Sequence, residues 1–383
     1  MELDAGLMKL VSPLELGDAI APGVRLVSVS HDLGLRLTFE VEGSLVHIEL
    51  SPAEEGRKFA VRTPRLLLAY RSPPQRPVSA AVGLALCHAV AERVTRHEDE
   101  VLDAFAARAA RAASKEDGSA RIREVFVERF LEAGADAQRL MYTANPYVGC
   151  LVGCRFCYAQ SRTAVTRRLA QLPALPWGSY TDVKMNAGEV LAHELQSLPE
   201  GPIKFCPIVS DAYQPVERRY RITRQCLEAI AASGRNFPPL ILTRTEHILE
   251  DAALLASIPG AHAGASIPTF DDEVRKHFEP RAIAIHARFA MLHALRKQGV
   301  RTFAVVQPML PGSVDDLARA LADAADSVSI EVLYGIEGAE REFADKRYLP
   351  VREQAWQASR LEALREALAK LNVPVWTGDL PPE

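Results

Sequence analysis

The chain has 383 residues, 48% of them hydrophobic and 25% charged, with a net charge of −4. These values suit a soluble globular protein with room for one large α/β domain and a smaller appendage. They argue against a polyanion-binding protein, though not against a local basic patch. No apolar run reaches the roughly 18–20 residues of a membrane span.

The opening MELDAGLMKL lacks the basic-then-apolar pattern of a secretory signal, so a cytoplasmic setting with no membrane partner is expected. The segments 24–31, 35–42 and 45–51 alternate apolar and polar residues and predict strands, and 66–72 adds another. Helical periodicity follows from about 79 to 113, and the polar SKEDGSA at 114–120 reads as a linker. A small α+β domain over 1–115 and a linker or lead-in helix over 116–136 are expected.

From there the pattern changes to short apolar strands alternating with longer helices, as in a parallel α/β sheet. Strands are predicted at 145–149, 203–210, 240–245, 261–268, 302–310 and 328–335. Helices are predicted at 187–198, 217–233, 247–257, 283–298 and 314–325, with a last one at about 352–371. Six strand–helix units fit a partial (βα)6 barrel over 137–383 better than a complete eightfold one.

Six cysteines occur, and three of them fall within eight residues, Cys150, Cys154 and Cys157 in NPYVGCLVGCRFCYAQ. A secreted disulfide scaffold is not built that way; in a reducing compartment a tight cluster marks a metal or cofactor site. Three thiolates on a cubane leave one of four irons open, the mark of a catalytic centre. Gly149 and Gly153 let the backbone curl around such a cluster, and Phe156 and Tyr158 flank the third cysteine. Three cysteines plus a histidine also suit zinc, but zinc sites more often pair two Cys-x2-Cys knuckles, and no second knuckle is present.

At this motif the chain resembles the radical S-adenosylmethionine (SAM) superfamily. The run FCPIVSDAYQPVERRYRITRQCLEAI (205–230), then ILTRT, GASIPTF, FEPRA and QPMLPG, is similar to its spore-photoproduct-lyase-like branch. The resemblance covers about 137–335 and implies a [4Fe–4S] cluster on Cys150, Cys154 and Cys157 whose open iron is chelated by SAM. It implies electron delivery by a partner such as flavodoxin or ferredoxin, and cleavage of SAM to a 5′-deoxyadenosyl radical that takes a substrate hydrogen. The cofactor supplies the chemistry and the protein supplies orientation and a dry cavity.

The resemblance assigns strand-end roles. Ser210 and Asp211 face the methionine end of SAM, and Arg244 pairs with its carboxylate where the family commonly has lysine. Ser266 supplies a hydroxyl to SAM, Glu279 and Arg281 position its ribose or carboxylate, and Gln307 lies by the adenine with Tyr158. The structural alternatives stay open. Serine and aspartate cap helices, Arg244 suits a surface ion pair, and Glu279 and Arg281 suit each other.

Cys206 is either a buried core thiol or a donor that returns a hydrogen atom to a product radical. In the repair lyases the resemblance places that thiol directly before the Ser-Asp pair, where this chain has Val209. The expectation is therefore a radical SAM enzyme acting on a peptide or small molecule. A DNA-repair lyase is the alternative, and a non-enzymatic iron–sulfur or zinc partner protein the third reading. Arg162, Arg167, Arg168, Arg218, Arg219, Arg221 and Arg224 fit phosphate contacts or solvated helix faces equally, and few aromatics accompany them, so a nucleic-acid partner has little support.

Overall fold

The computed structural model describes residues 19–21, 23–30, 35–52, 59–72, 77–99, 121–135, 140–169, 172–205, 209–333, 339–378 and 380–382. The first part is a six-stranded antiparallel sheet of β1 (Ala19–Ala21), β2 (Val24–Ser30), β3 (Leu35–Val41), β4 (Ser44–Pro52), β5 (Val61–Arg62) and β6 (Leu66–Arg71), in the order β1-β2-β3-β4-β6-β5. Strand alternation sends Leu37, Phe39, Val46, Ile48, Leu50 and Leu68 to one face. There they meet Leu86, Cys87, Val90 and Val94 of helix α1 (Ala80–Val94). Each such side chain removed from water contributes about 1.5–3 kcal/mol. The Ser79 hydroxyl caps α1 by accepting the Val82 N–H at 3.2 Å. Past α1 the chain runs through a short 3-10 turn at Thr95–His97 and is helical again at 98–99; the rest of the expected helix and the linker, 100–120, lie outside the described residues.

In the second part, where a linker or lead-in helix is expected over 116–136, the described residues 121–135 hold strands β7 (Arg121–Val125) and β8 (Leu131–Ala135). Arg123 makes a bidentate pair with Asp182 across a parallel strand. That partner strand is β11 (Tyr180–Lys184), and β10 (Tyr147–Val148) lies on its other side.

The main sheet runs β8-β9-β12-β13-β14-β15-β16-β17, where β9 is Leu140–Ala144, β12 Ile203–Phe205, β13 Pro239–Thr243, β14 His262–Ser266, β15 Arg301–Val306, β16 Ser327–Ile330 and β17 Val375–Trp376. All pairs are parallel except β8 with β9. The strand predicted at 145–149 is thus displaced. The sheet strand is β9, and Tyr147–Val148 pair in the smaller sheet because Asn145-Pro146 breaks the run. The helix predicted over 217–233 divides at Arg221, whose φ of 53° ends Glu217–Tyr220 and starts the helix Ile222–Ser233.

One face of this sheet is covered by helices. Ile241, Ala263, Ala265, Ala304 and Val328 pack there with Leu191, Leu227, Leu292, Leu317 and Leu364. Leu240, Leu242 and Phe303 form a smaller cluster with Met141 and Leu380. Gly264 is required by packing: a Cβ there would fall 2.6 Å from the Phe303 ring. Among the described residues, no helix is long and apolar enough to cross a membrane.

Candidate functional site

Because the strands run in parallel, their carboxyl ends share one edge of the sheet, where sites in such folds assemble. The cysteine loop leaves β9 at this edge. Gly149 (φ 89°) and Gly153 (φ 59°) are in the left-handed region, which costs glycine nothing. Gly149 N–H donates to Val209 O at 3.1 Å, so Val209 serves the loop through its backbone. The buried Gln214 amide donates to Gly149 O at 3.1 Å and accepts from Leu151 N at 2.8 Å. Gln214 was not singled out in the sequence; nothing local marks a residue that acts 65 positions away.

Cys150 and Cys154 are buried and Cys157 is half-buried, within an apolar cluster containing Phe156, Phe278, Leu310 and Phe343. Burial pushes the Cys150 thiol up to about 12, with added repulsion from Asp211 and Cys157. Burial likewise pushes Cys154 well up and raises Cys157, while the Arg244 charge works in the opposite sense on both. Repulsion from Cys157 acts on Cys150, and repulsion from Cys157 and Cys150 acts on Cys154. Thiolate is the ligating form, so metal binding must offset this burial. Among the described residues, no three His, Cys, Asp or Glu side chains converge on a single ion. A cubane asks for no such focus, since each thiolate takes its own iron.

Next to Cys154 lies a buried charge network. Glu279 Oε1 is 3.8 Å from the Cys154 sulfur and accepts from Arg244 Nε at 2.6 Å. Its Oε2 accepts from Arg288 Nη2 at 2.7 Å, and Arg288 Nη1 donates to Ser266 O at 2.6 Å. Burial alone would raise the Glu279 carboxyl, but Arg288 and Arg244 hold it below its ordinary value. Burial opposes the Arg244 charge, yet Cys154, Glu279 and Cys157 reverse that and keep it firmly cationic. Arg288 also escaped sequence reading, because it sits inside a helix, Ile285–Lys297, with no strand-end signal.

The other expected contacts are placed as follows. Ser266 closes β14, and its buried Oγ has no hydrogen-bond partner among the described residues. Asp211 is engaged by the protein: Oδ1 accepts from Tyr213 N and the Thr243 hydroxyl, and Oδ2 from Arg244 N at 2.8 Å. Ser210 is buried beside it. Gln307 follows β15 and donates to Glu331 at 3.0 Å. Phe156 packs on Phe278 with Arg244 over its ring, whereas Tyr158 is 37% exposed. Arg281 Nη1 donates to Gly178 O at 2.6 Å. Cys206 lies outside the described residues. Cys87 and Cys226 are buried in helices away from the loop.

No family model matches the chain. An uncharacterised protein of Methanocaldococcus jannaschii is 28% identical over 174 residues, which are 45% of this chain and 62% of that protein. An uncharacterised protein of Mycobacterium tuberculosis is 31% identical over 187 residues, 47% of this chain and 53% of that one. A protein of Pseudomonas phage M6 named radical SAM Nalpha-GlyT isomerase is 28% identical over 223 residues, 55% of this chain and 44% of that one. Over this length the chain is similar to a protein named as a radical SAM enzyme.

A solved structure of a spore photoproduct lyase mutant shares the fold, with a TM-score of 0.50 at 15% identity over 72% of this chain and 84% of that one. The chain spans less than two thirds of the length of the curated relatives it matches.

Proposed function

We propose that this chain is a radical SAM enzyme whose sheet forms a partial (βα)6 barrel over 137–383, with a [4Fe–4S] cluster on Cys150, Cys154 and Cys157. One observation carries the reading. The three-cysteine loop follows the first parallel strand, and its Cys154 lies against Glu279, which holds the Arg244 cation. Through Arg288, Glu279 is linked to the backbone of Ser266, whose buried hydroxyl has no partner among the described residues. An orphaned buried hydroxyl costs about 1–3 kcal/mol unless something binds it, so the donor set and the orphan both fit a cluster with a polar ligand. Held by Cys150, Cys154 and Cys157, the cluster would supply the electron for reductive cleavage of SAM and so the means of hydrogen abstraction from a substrate.

The chain's own residues bind and orient. Arg244, anchored by Glu279, offers guanidinium donors to the methionine carboxylate, and Ser266 and Ser210 offer hydroxyls. Gln307 and Tyr158 flank the expected adenine position. The apolar cluster of Phe156, Phe278 and Phe343 keeps water from the thiolates. Cys206 follows β12 and is the candidate thiol that returns a hydrogen atom.

In this reading residues 1–115 form a small α+β domain that recruits or covers the substrate. Arg36 of β3 pairs with Glu132 of β8 at 2.6 Å, and Glu49 of β4 pairs with Arg162 in the helix Ala159–Leu169 that follows the cysteine loop. That brings the sheet to the site's flank. A peptide or small-molecule substrate, a flavodoxin or ferredoxin as electron donor, and a cytoplasmic setting complete the proposal.

The test is anaerobic reconstitution. About four irons and four sulfides per chain, with an electron paramagnetic resonance signal that changes on adding SAM, support the reading. Zinc in place of iron rejects it. Deuterium transfer from labelled candidate substrates into 5′-deoxyadenosine then identifies the substrate class.

A further inference from the structure

The segment Phe278–Arg281 touches three consecutive residues of the cysteine loop. Phe278 O accepts the backbone N–H of Arg155 at 2.9 Å. Glu279 Oε1 faces the Cys154 sulfur at 3.8 Å. The Arg281 guanidinium occupies a slot between Gly153 and Gly178. A Cβ on Gly153 would fall 2.1 Å from Arg281 Nη2, and one on Gly178 only 1.8 Å from it. The two glycines pack against each other as well, since the same Gly153 Cβ would lie 2.9 Å from the Gly178 Cα. The slot therefore exists because neither position carries a side chain.

We propose that Phe278-Glu279-Pro280-Arg281 is a clamp that holds the cysteine loop in its cluster-binding shape, with Arg281 as a positioning residue and not a cofactor ligand. The proposal rests on reading the three cysteines as cluster ligands. Its physical basis is preorganisation. Fixing a residue's backbone costs about 1–2 kcal/mol of conformational entropy, and a loop already fixed does not lose that freedom again on binding. The clamp grips by main chain and guanidinium on either side of Cys154, while the Glu279 carboxylate between them carries the Arg244 and Arg288 cations, so the loop between Cys150 and Cys157 is braced at its middle. The guanidinium is used on backbone: Nη1 is committed to Gly178 O, and Nη2 lies against two glycine Cα atoms.

The experiment compares reconstituted wild type, R281A and R281K. Two quantities are read: the rate at which a fixed excess of iron chelator removes the cluster, and the SAM dissociation constant per loaded cluster. Arg281 is exposed overall, so its removal leaves the fold intact, which melting by circular dichroism verifies.

The clamp predicts that R281A loses its cluster about tenfold faster, the worth of one hydrogen bond from a charged donor, with SAM affinity unchanged. R281K keeps the charge without the fork and falls between the two. Equal resistance to chelator in all three proteins overturns the clamp. So does weakened SAM binding with normal cluster retention, which would make Arg281 a cofactor ligand. A wild-type chain that takes up no iron rejects the cluster reading itself, a result distinct from either.

Discussion

At Ser266 the hydroxyl oxygen is enclosed yet lacks a partner among the described residues, while its own carbonyl is held by Arg288. Ser266→Ala therefore removes an unsatisfied group and leaves the melting temperature of the cofactor-free protein unchanged or slightly higher. SAM affinity falls by about three- to tenfold, the worth of one neutral hydrogen bond. Thermal melting and equilibrium SAM binding read the two halves of that prediction separately.

Glu217 supplies a second test. Burial pushes its carboxyl up to about 7, against hydrogen bonds from the Tyr147 hydroxyl, Thr223 N and Arg224 N. The folded value lies above the ordinary 4.5, so the native state holds the proton more tightly than the unfolded chain. That stability is complete below about pH 4.5 and is lost as pH rises through about 7, on the order of 3 kcal/mol. Denaturant midpoints of Glu217→Gln should show a flatter pH dependence over that window; an identical profile would refute the assignment.

The cysteine triad was legible because its spacing is local. Gln214 and Arg288 were not, because each acts on residues far away in sequence. Asp211 shows the same limit: it was expected to face the methionine end of SAM, and that Tyr213, Thr243 and Arg244 all donate to its carboxylate was not legible.

Among the elements, the strands of the main sheet were legible by composition. Continuous apolar runs such as PLILT are buried along their whole length, as covered parallel strands are. The errors cluster where polar residues face protein. Where a linker or lead-in helix was expected, strand β7 lies with its Arg123 paired to Asp182, and the first sheet strand lies before Asn145-Pro146, not after it. Strand β11 was missed for the same reason: in YTDVK, Asp182 carries the cross-strand pair and the Thr181 hydroxyl donates to Gly149 O.

Gly264 shows how tightly two neighbouring strands fit, with the Phe303 ring lying where a methyl would go. Gly264→Ala is expected to destabilise by about 1–3 kcal/mol, the usual cost of overpacking a core. Phe303→Leu in the same chain should recover part of that loss, as measured by denaturant unfolding. Additive effects of the two changes would contradict the packing argument.

Among the described residues, the two largest hydrophobic cores are joined by charge pairs. The first-sheet core around Phe39 and Val90 is separate from the main-sheet core around Ile241 and Leu292. Arg36–Glu132 and Arg162–Glu49 tie the two bodies together on the flank of the cysteine loop. The sequence indicated an α+β part ahead of an α/β part, because strand alternation gives way to apolar strands with long helices. How the two meet was hidden, since it depends on single charges in unrelated segments.

The proposed chemistry needs all of this at once: thiolates on a braced loop, a cation and a hydroxyl at strand ends, and an apolar surround. The decisive measurement is 5′-deoxyadenosine release from the anaerobically reconstituted 383-residue chain given SAM and dithionite. The account predicts release from the wild type and none from Cys154→Ala. An iron-loaded wild type that binds SAM and releases no 5′-deoxyadenosine would contradict it.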